Sequence, residues 1–249
     1  MDRSPTRCPI FHAAISNNII MASPTWCCGP ICHYRLDLAD LSECSAAAYF
    51  RVNEQFARQL HKMLRRDDII WVHDYHFIPM ARVLRELGCV NRIGFFMHIP
   101  WPGPEVASAL PADQRILRSF GAYDVVGFQT ETDADNFRDC IVSANAGRVA
   151  SGDWCEIDGR RTRVSAFPIG IDTEAFAKEA RAAEKSPTVQ CTLASLKGRD
   201  LIIGVDRLDY LKGLKQRIEA FCTFLAADHR CNRRGGRQNF GLWKHSEPA

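Results

Sequence analysis

The stretch Asp68-Ile69-Ile70-Trp71-Val72-His73-Asp74-Tyr75-His76, followed one helix later by Arg92-Ile93-Gly94-Phe95-Phe96-Met97-His98-Ile99-Pro100, decides the fold. Ile69 to Val72 is a short continuous apolar run, the mark of a strand buried on both faces. Phe77 to Leu87 has helical spacing, and Gly88 stands just past its end, where a left-handed cap is needed. Ile93 to Met97 is a second apolar run. Strand, helix and strand at this spacing form a βαβ unit, and such units build a parallel sheet.

The pattern extends in both directions. From Tyr49 on, Val52, Phe56, Leu60, Met63 and Leu64 share one helical face, with Arg51, Glu54, Arg58 and Lys62 opposite. That apolar stripe reads as core rather than as a cofactor site, and Asp67-Asp68 closes the helix. A turn rich in proline (Pro100, Pro102, Pro104) leads into helical segments over residues 105–120. Asp124 to Phe128 is a third strand. Thr130 to Ser143 is a helix, with Thr130 and Asp133 placed as a capping box. Arg163 to Phe167 is a fourth strand and Thr173 to Ala183 a further helix. Residues 184–199 are polar and read as a linker. Leu201 to Val205 and Gly213 to Ala227 then read as the first β-α unit of a second domain. The expected fold is α/β: a Rossmann-like parallel sheet domain over residues 1–190 and the beginning of a second over 198–249. From Asp228 onward the periodicity is lost.

Composition excludes several classes. With 46% hydrophobic and 24% charged residues the chain is globular, not collagenous, coiled or disordered. No run of apolar residues is long enough to span a membrane. The 32 Lys and Arg against 29 Asp and Glu leave +3, too slight a bias for a nucleic-acid-binding domain. The opening residues are too polar for a secretory signal, and the eleven cysteines are irregularly spaced. Reduced thiols in the cytoplasm are therefore expected. Cys27, Cys28, Cys32 and His33 resemble metal ligands superficially. No second pair follows at zinc-finger spacing, so no metal is expected.

In an open parallel sheet, ligands bind beyond the carboxyl ends of the strands. The residues there are His73-Asp74-Tyr75-His76, His98-Ile99-Pro100, Gln129-Thr130-Glu131, Pro168-Ile169-Gly170-Ile171-Asp172 and Asp206-Arg207-Leu208-Asp209-Tyr210-Leu211-Lys212-Gly213. Their convergence on one edge carries more weight than any single motif. Each also has a plain structural reading. Asp74 could cap the helix that follows it. His98 could be a satisfied core histidine. His73 and His76 could ligate a metal, although packing or hydrogen bonding is favoured for both. Arg207 and Lys212 flank a helix N-terminus, which suits a diphosphate, but also suits a solvated surface pair. No Gly-x-Ser-x-Gly, Gly-x-Gly-x-x-Gly or Walker loop is present, which counts against hydrolase, dehydrogenase and NTP-hydrolase readings.

These segments, with His33-Tyr34-Arg35-Leu36-Asp37, Tyr49-Phe50-Arg51-Val52-Asn53 and Gly127-Phe128-Gln129-Thr130, occur in an order and spacing that resembles the trehalose-6-phosphate synthase family. The likeness runs over residues 33–227. It implies the GT-B architecture of two Rossmann-like domains and retaining transfer of glucose from UDP-glucose to glucose 6-phosphate, without a metal or other cofactor. By resemblance, Asp74 holds the acceptor glucose 6-phosphate and His98 the transferred glucose. Ile99 shapes selection of the acceptor's anomer, and Arg207 and Lys212 grip the UDP-glucose diphosphate. No nucleophile or general base is assigned. Neither nucleic acid nor membrane is implied as a partner; a homo-oligomer is compatible with the family.

The departures are specific. Nothing in residues 1–32 resembles the family's glycine-rich loop, and Gly29 stands where the family has a tryptophan before Pro30. The family's Asp-Gly-Met-Asn segment has no counterpart in residues 228–249. The sequence thus reads as truncated at both ends, with activity of this stretch alone in question. Two alternative readings follow: a related transferase using another acceptor such as glycerol 3-phosphate, or a non-catalytic sugar-phosphate-binding fragment.

Overall fold

The computed structural model describes residues 28–110, 113–197, 201–206, 212–227 and, by backbone alone, 241–244. The chain divides into two compact units, one ending at Ile169 and the other beginning at Gly170.

The first unit is built on a six-stranded sheet. Its strands are Ile69–His73 (β1), Arg92–Phe96 (β2), Val125–Phe128 (β3), Gly147–Ser151 (β4), Trp154–Ile157 (β5) and Arg160–Ala166 (β6), in the order β1-β2-β3-β6-β5-β4. β1, β2, β3 and β6 run parallel, while β5 and β4 extend the sheet antiparallel from β6. Its helices are Cys28–Cys32 (α1), Glu43–His61 (α2), Met80–Glu86 (α3), Pro104–Ala107 (α4), Asp113–Ser119 (α5) and Glu131–Ser143 (α6). The expected α/β class with a parallel sheet is what forms.

One face of the sheet makes the core. Ile70 and Val72 of β1, Ile93 and Phe95 of β2, Val126 and Phe128 of β3 and Val164 of β6 are all buried. Trp101, Phe120, Tyr123 and Phe137 pack around Phe95 and Phe128, mostly edge to face. Each such side chain fully buried contributes about 1.5–3 kcal/mol from area alone. The opposite face differs from expectation. Ile69 and Trp71 are 62% and 63% exposed, so β1 is buried on one side rather than two. A continuous apolar run cannot by itself distinguish the two cases.

Arg85, in the last turn of α3, ties that helix to the entry of the sheet. Its guanidinium donates to the carbonyls of Cys89 (2.9 Å) and Asn91 (2.7 Å) and to Asp124 Oδ2 (3.1 Å). Asp124 Oδ2 also accepts from the amide of Ile93 at 2.8 Å, joining the starts of β2 and β3.

Several boundaries move. Helix α2 starts at Glu43, well before Tyr49, because Ser42 caps it: the Ser42 hydroxyl accepts from the Ser45 amide at 3.4 Å. Its early residues, including Ala46, Ala47 and Ala48, have high helix propensity without apolar periodicity. The hairpin strands β4 and β5 lie where none was expected. Asp158 (φ 50°) and Gly159 (φ 76°) turn β5 into β6, both left-handed as a two-residue type I′ hairpin requires. Thr130 caps α6 as expected, accepting from the Asp133 amide at 3.2 Å. The Asp133 carboxylate accepts from the Thr130 hydroxyl at 2.6 Å through Oδ2 and from the buried backbone N–H of Trp101 at 2.9 Å through Oδ1.

The second unit contains helices Thr173–Ala183 (α7), Pro187–Leu196 (α8) and Leu214–Ala227 (α9), with strands Ile203–Asp206 (β7) and Gly241–Lys244 (β8) paired in parallel. Helix α8 occupies the expected linker. Ser186 caps it and Pro187 sits at its first turn, where a missing N–H costs nothing.

Candidate active site

The carboxyl edge of the parallel strands is stitched together by hydrogen bonds that continue past the ladder. The Asp74 amide donates to the Phe96 carbonyl (2.9 Å), Met97 to Gly127 (2.9 Å) and Phe167 to Phe128 (2.8 Å). Gln129 Nε2 donates to the Ile169 carbonyl at 3.4 Å. Segments 73–77, 96–99, 127–130 and 167–169 are thereby held side by side. Gly127 permits this closeness: a Cβ there would meet Phe96 at 2.9 Å and Phe167 at 3.0 Å.

Asp74 is the most unusual residue of the edge. Its backbone lies at φ 64°, ψ 169°, a region almost confined to glycine. Holding a side chain there costs about 1–3 kcal/mol. Its side chain makes no capping hydrogen bond to the short 3-10 turn Tyr75–Phe77 that follows, which corrects the capping alternative. One carboxylate oxygen, Oδ1, is buried and has no hydrogen-bond partner among the described residues. Leaving such an acceptor unmet costs a further 1–3 kcal/mol or so.

The strain persists because the next four carbonyls are all held. Tyr49 Oη donates to the carbonyl of Tyr75, and Asn53 Nδ2 to that of His76 at 3.1 Å. The Tyr123 hydroxyl lies 3.0 Å from the Phe77 carbonyl and 2.9 Å from that of Ile78. Phe56 of α2 packs edge-on against Phe77 at 5.3 Å. Buried polar side chains of α2 and a buried tyrosine before β3 thus force the turn.

The histidines separate into two settings. His73 and His98 are hydrogen-bonded, Nδ1 to Nε2, at 2.8 Å. Burial, then the His98 charge, push the His73 pKa down, against a smaller upward pull from Asp74. His76 stacks on Tyr75 at 4.2 Å, and burial lowers its pKa as well. His73 and His76 thus engage different rings. Among the described residues no group of three or more His, Cys, Asp or Glu side chains is placed to hold a metal. Ile99 is half-buried against the core.

Asp74, His98 and Ile99 therefore belong to one edge of the first unit. Lys212 is in the second unit, exposed, one residue before Gly213 (φ 58°), and its carbonyl accepts from Arg217 at 3.3 Å. Arg207 lies outside the described residues. For His73 the sequence favours packing or hydrogen bonding over metal ligation; the alternation Ile69, Trp71, His73 along one face of β1 is the signal for its partnership with His98.

A Rossmann-like parallel sheet whose polar residues gather at the strand carboxyl ends, followed by a second β-α unit, is the plan of a GT-B glycosyltransferase. The sequence pattern of glycosyltransferase family 20 matches residues 15–234, and the chain belongs to that family. A trehalose-6-phosphate synthase from Sinorhizobium fredii is 49% identical over 199 residues, which is 80% of this chain and 43% of the relative. The crystal structure of an α,α-trehalose-phosphate synthase (UDP-forming) from Burkholderia vietnamiensis superposes with a TM-score of 0.78 at 39% identity, covering 91% of this chain and 47% of that one. The corresponding enzyme from Burkholderia xenovorans, in complex with glucose-6-phosphate, gives 0.77 at 39% identity over 87% of this chain and 48% of that one. The chain thus spans less than half the length of the relatives it matches. No described helix is long and apolar enough to cross a membrane.

Proposed function

We propose that this chain carries the acceptor side, and the beginning of the donor side, of a trehalose-6-phosphate synthase. The reaction transfers glucose from UDP-glucose to glucose 6-phosphate with retention. The observation that carries the reading is Asp74: a strained residue with a buried, unmet carboxylate oxygen at the strand edge. In this reading a sugar hydroxyl donates to the Asp74 carboxylate. The clamped turn fixes that carboxylate before a ligand arrives, so less freedom is lost on binding.

In this reading Asp74 accepts hydroxyl hydrogens of glucose 6-phosphate, His98 bonds the transferred glucose, and Ile99 walls the acceptor's anomeric position. Arg207 and Lys212 hold the diphosphate. As the bond from the glucose anomeric carbon to the phosphate oxygen breaks, UDP leaves with the electron pair, and the two cationic side chains stabilise that charge. The anomeric hydroxyl oxygen of the acceptor forms the new bond on the same face, and its proton passes to the departing phosphate. No protein base is needed for that balance. The substrates, and described cysteines such as Cys44, Cys89 and Cys140 that form no disulfide, favour a cytoplasmic, reducing setting.

Acceptor choice tests the reading. Saturation-transfer NMR on the full chain should show glucose 6-phosphate contacts that glycerol 3-phosphate does not displace. Displacement by glycerol 3-phosphate would favour a sister transferase with that acceptor. Binding of neither would end the acceptor-site reading.

A further inference from the structure

The exposed face of β1 carries Trp71 and His73 two residues apart, and the His73 ring stands between two others. Trp71 lies 4.5 Å away and His98 5.1 Å, the two imidazoles tilted by 22°. The ring of Phe96 meets His98 at 5.0 Å, nearly edge-on. His98 is thus held by an edge contact from Phe96 and by the 2.8 Å hydrogen bond to His73, the two imidazoles lying nearly coplanar.

We propose that His73 is a positioning residue for His98: it locks the His98 imidazole as its Nε2–H tautomer and leaves Nδ1 bare, as an acceptor for a sugar hydroxyl. The last clause rests on the proposed role of His98 toward the transferred glucose; the lock itself does not.

Only one proton fits between His73 Nδ1 and His98 Nε2. Either His98 donates it from Nε2 or His73 donates it from Nδ1. In the first case both rings carry their remaining proton arrangement as Nε2–H, the tautomer a histidine side chain prefers in water. In the second case both are forced into the less favoured Nδ1–H form. The two preferences add, so His98 is the donor. The charged groups facing His73 are His98 itself and Asp74, and burial opposes protonation of His73. With Nε2 committed to His73, His98 meets its ligand through Nδ1 as an acceptor. Its orientation is fixed before binding, so less rotamer freedom is lost on complex formation.

Long-range proton–nitrogen NMR on the full chain, labelled with ¹⁵N-histidine and free of ligand, reads the tautomer directly. His98 should show a protonated Nε2 and a bare Nδ1. In His73→Phe it should become a mixture of tautomers. In His73→Asn, whose side-chain oxygen can accept in place of Nδ1, the single tautomer should return. An Nδ1–H tautomer in the parent protein, or no change in His73→Phe, overturns the lock. UDP-glucose is the second probe: His73→Phe should weaken its binding about tenfold, with recovery in His73→Asn. If the tautomer responds as stated and UDP-glucose binding does not, the glucose-facing role of His98 falls while the lock stands.

Discussion

The backbone N–H of Asp74 donates to the carbonyl of Phe96 at 2.9 Å, the last bond joining β1 to β2 before the chain turns away. Beyond it Asp74 adopts φ 64°, and its Oδ1 is buried without a partner among the described residues. A bond that fixes the residue from one side and a turn clamped from the other leave Asp74 no relaxed alternative. Strain of this kind is kept where a ligand uses it.

Removing the side chain should therefore stabilise the protein. Asp74→Gly relieves about 1–3 kcal/mol of backbone strain, against a glycine entropy cost of about 0.5–1 kcal/mol. The unmet carboxylate goes as well. Urea unfolding should give a net gain of about 1 kcal/mol or more, with loss of glucose 6-phosphate binding. A destabilised Asp74→Gly would show that the backbone is not strained.

The clamp behind Asp74 should matter to both stability and binding. Asn53→Ala leaves the carbonyl of His76 without its 3.1 Å donor in a buried setting. Tyr123→Phe removes the single hydroxyl hydrogen that the carbonyls of Phe77 and Ile78 share. Each should cost about 1–3 kcal/mol by urea titration. Each should also weaken glucose 6-phosphate, because the turn can then relax away from the conformation that presents Asp74.

Gly127 sets the closeness of β2 to the segment after β6. Gly127→Ala places a methyl 2.9 Å from Phe96 and 3.0 Å from Phe167. Overpacking of this kind costs about 1–3 kcal/mol. The Tm should fall, and the ring contact of Phe96 with His98 should loosen, visible as weaker Phe96–His98 cross-peaks in NMR.

Acid should weaken the fold through the histidines. His76 and His73 both have pKa values lowered in the folded state, chiefly by burial. The unfolded chain then binds protons more readily, so stability is full above the ordinary histidine pKa and is lost as pH falls through the folded value. Unfolding free energy should decline between about pH 7 and pH 5. His76→Gln should flatten that slope, since His76 is the more enclosed of the two; an unchanged slope would place the titration elsewhere.

The order of strands and helices that builds the parallel sheet was legible in the sequence, because runs such as Ile93 to Met97 and caps such as Gly88 and Thr130 are local signals. The β4–β5 hairpin was not read, although Asp158-Gly159 is a strong hairpin signal; the short polar strands around it lack alternation. The exposure of Ile69 and Trp71 could not be read, because it depends on what packs against β1 and not on β1 itself. At the site, Asp74 and His98 were legible as polar residues following strands. The left-handed backbone of Asp74 and its unmet oxygen were not, since both follow from Tyr49, Asn53 and Tyr123 reaching in from distant segments.

Calorimetric titration of glucose 6-phosphate into the parent chain and Asp74→Asn tests the central claim most directly. The amide keeps the shape of the carboxylate and removes its charge. Binding should weaken by a factor of about 10–100, as loss of a charged hydrogen bond worth about 1.5–3 kcal/mol requires, with the Tm not lowered. Equal affinity in the two proteins would contradict Asp74 as the acceptor-binding residue.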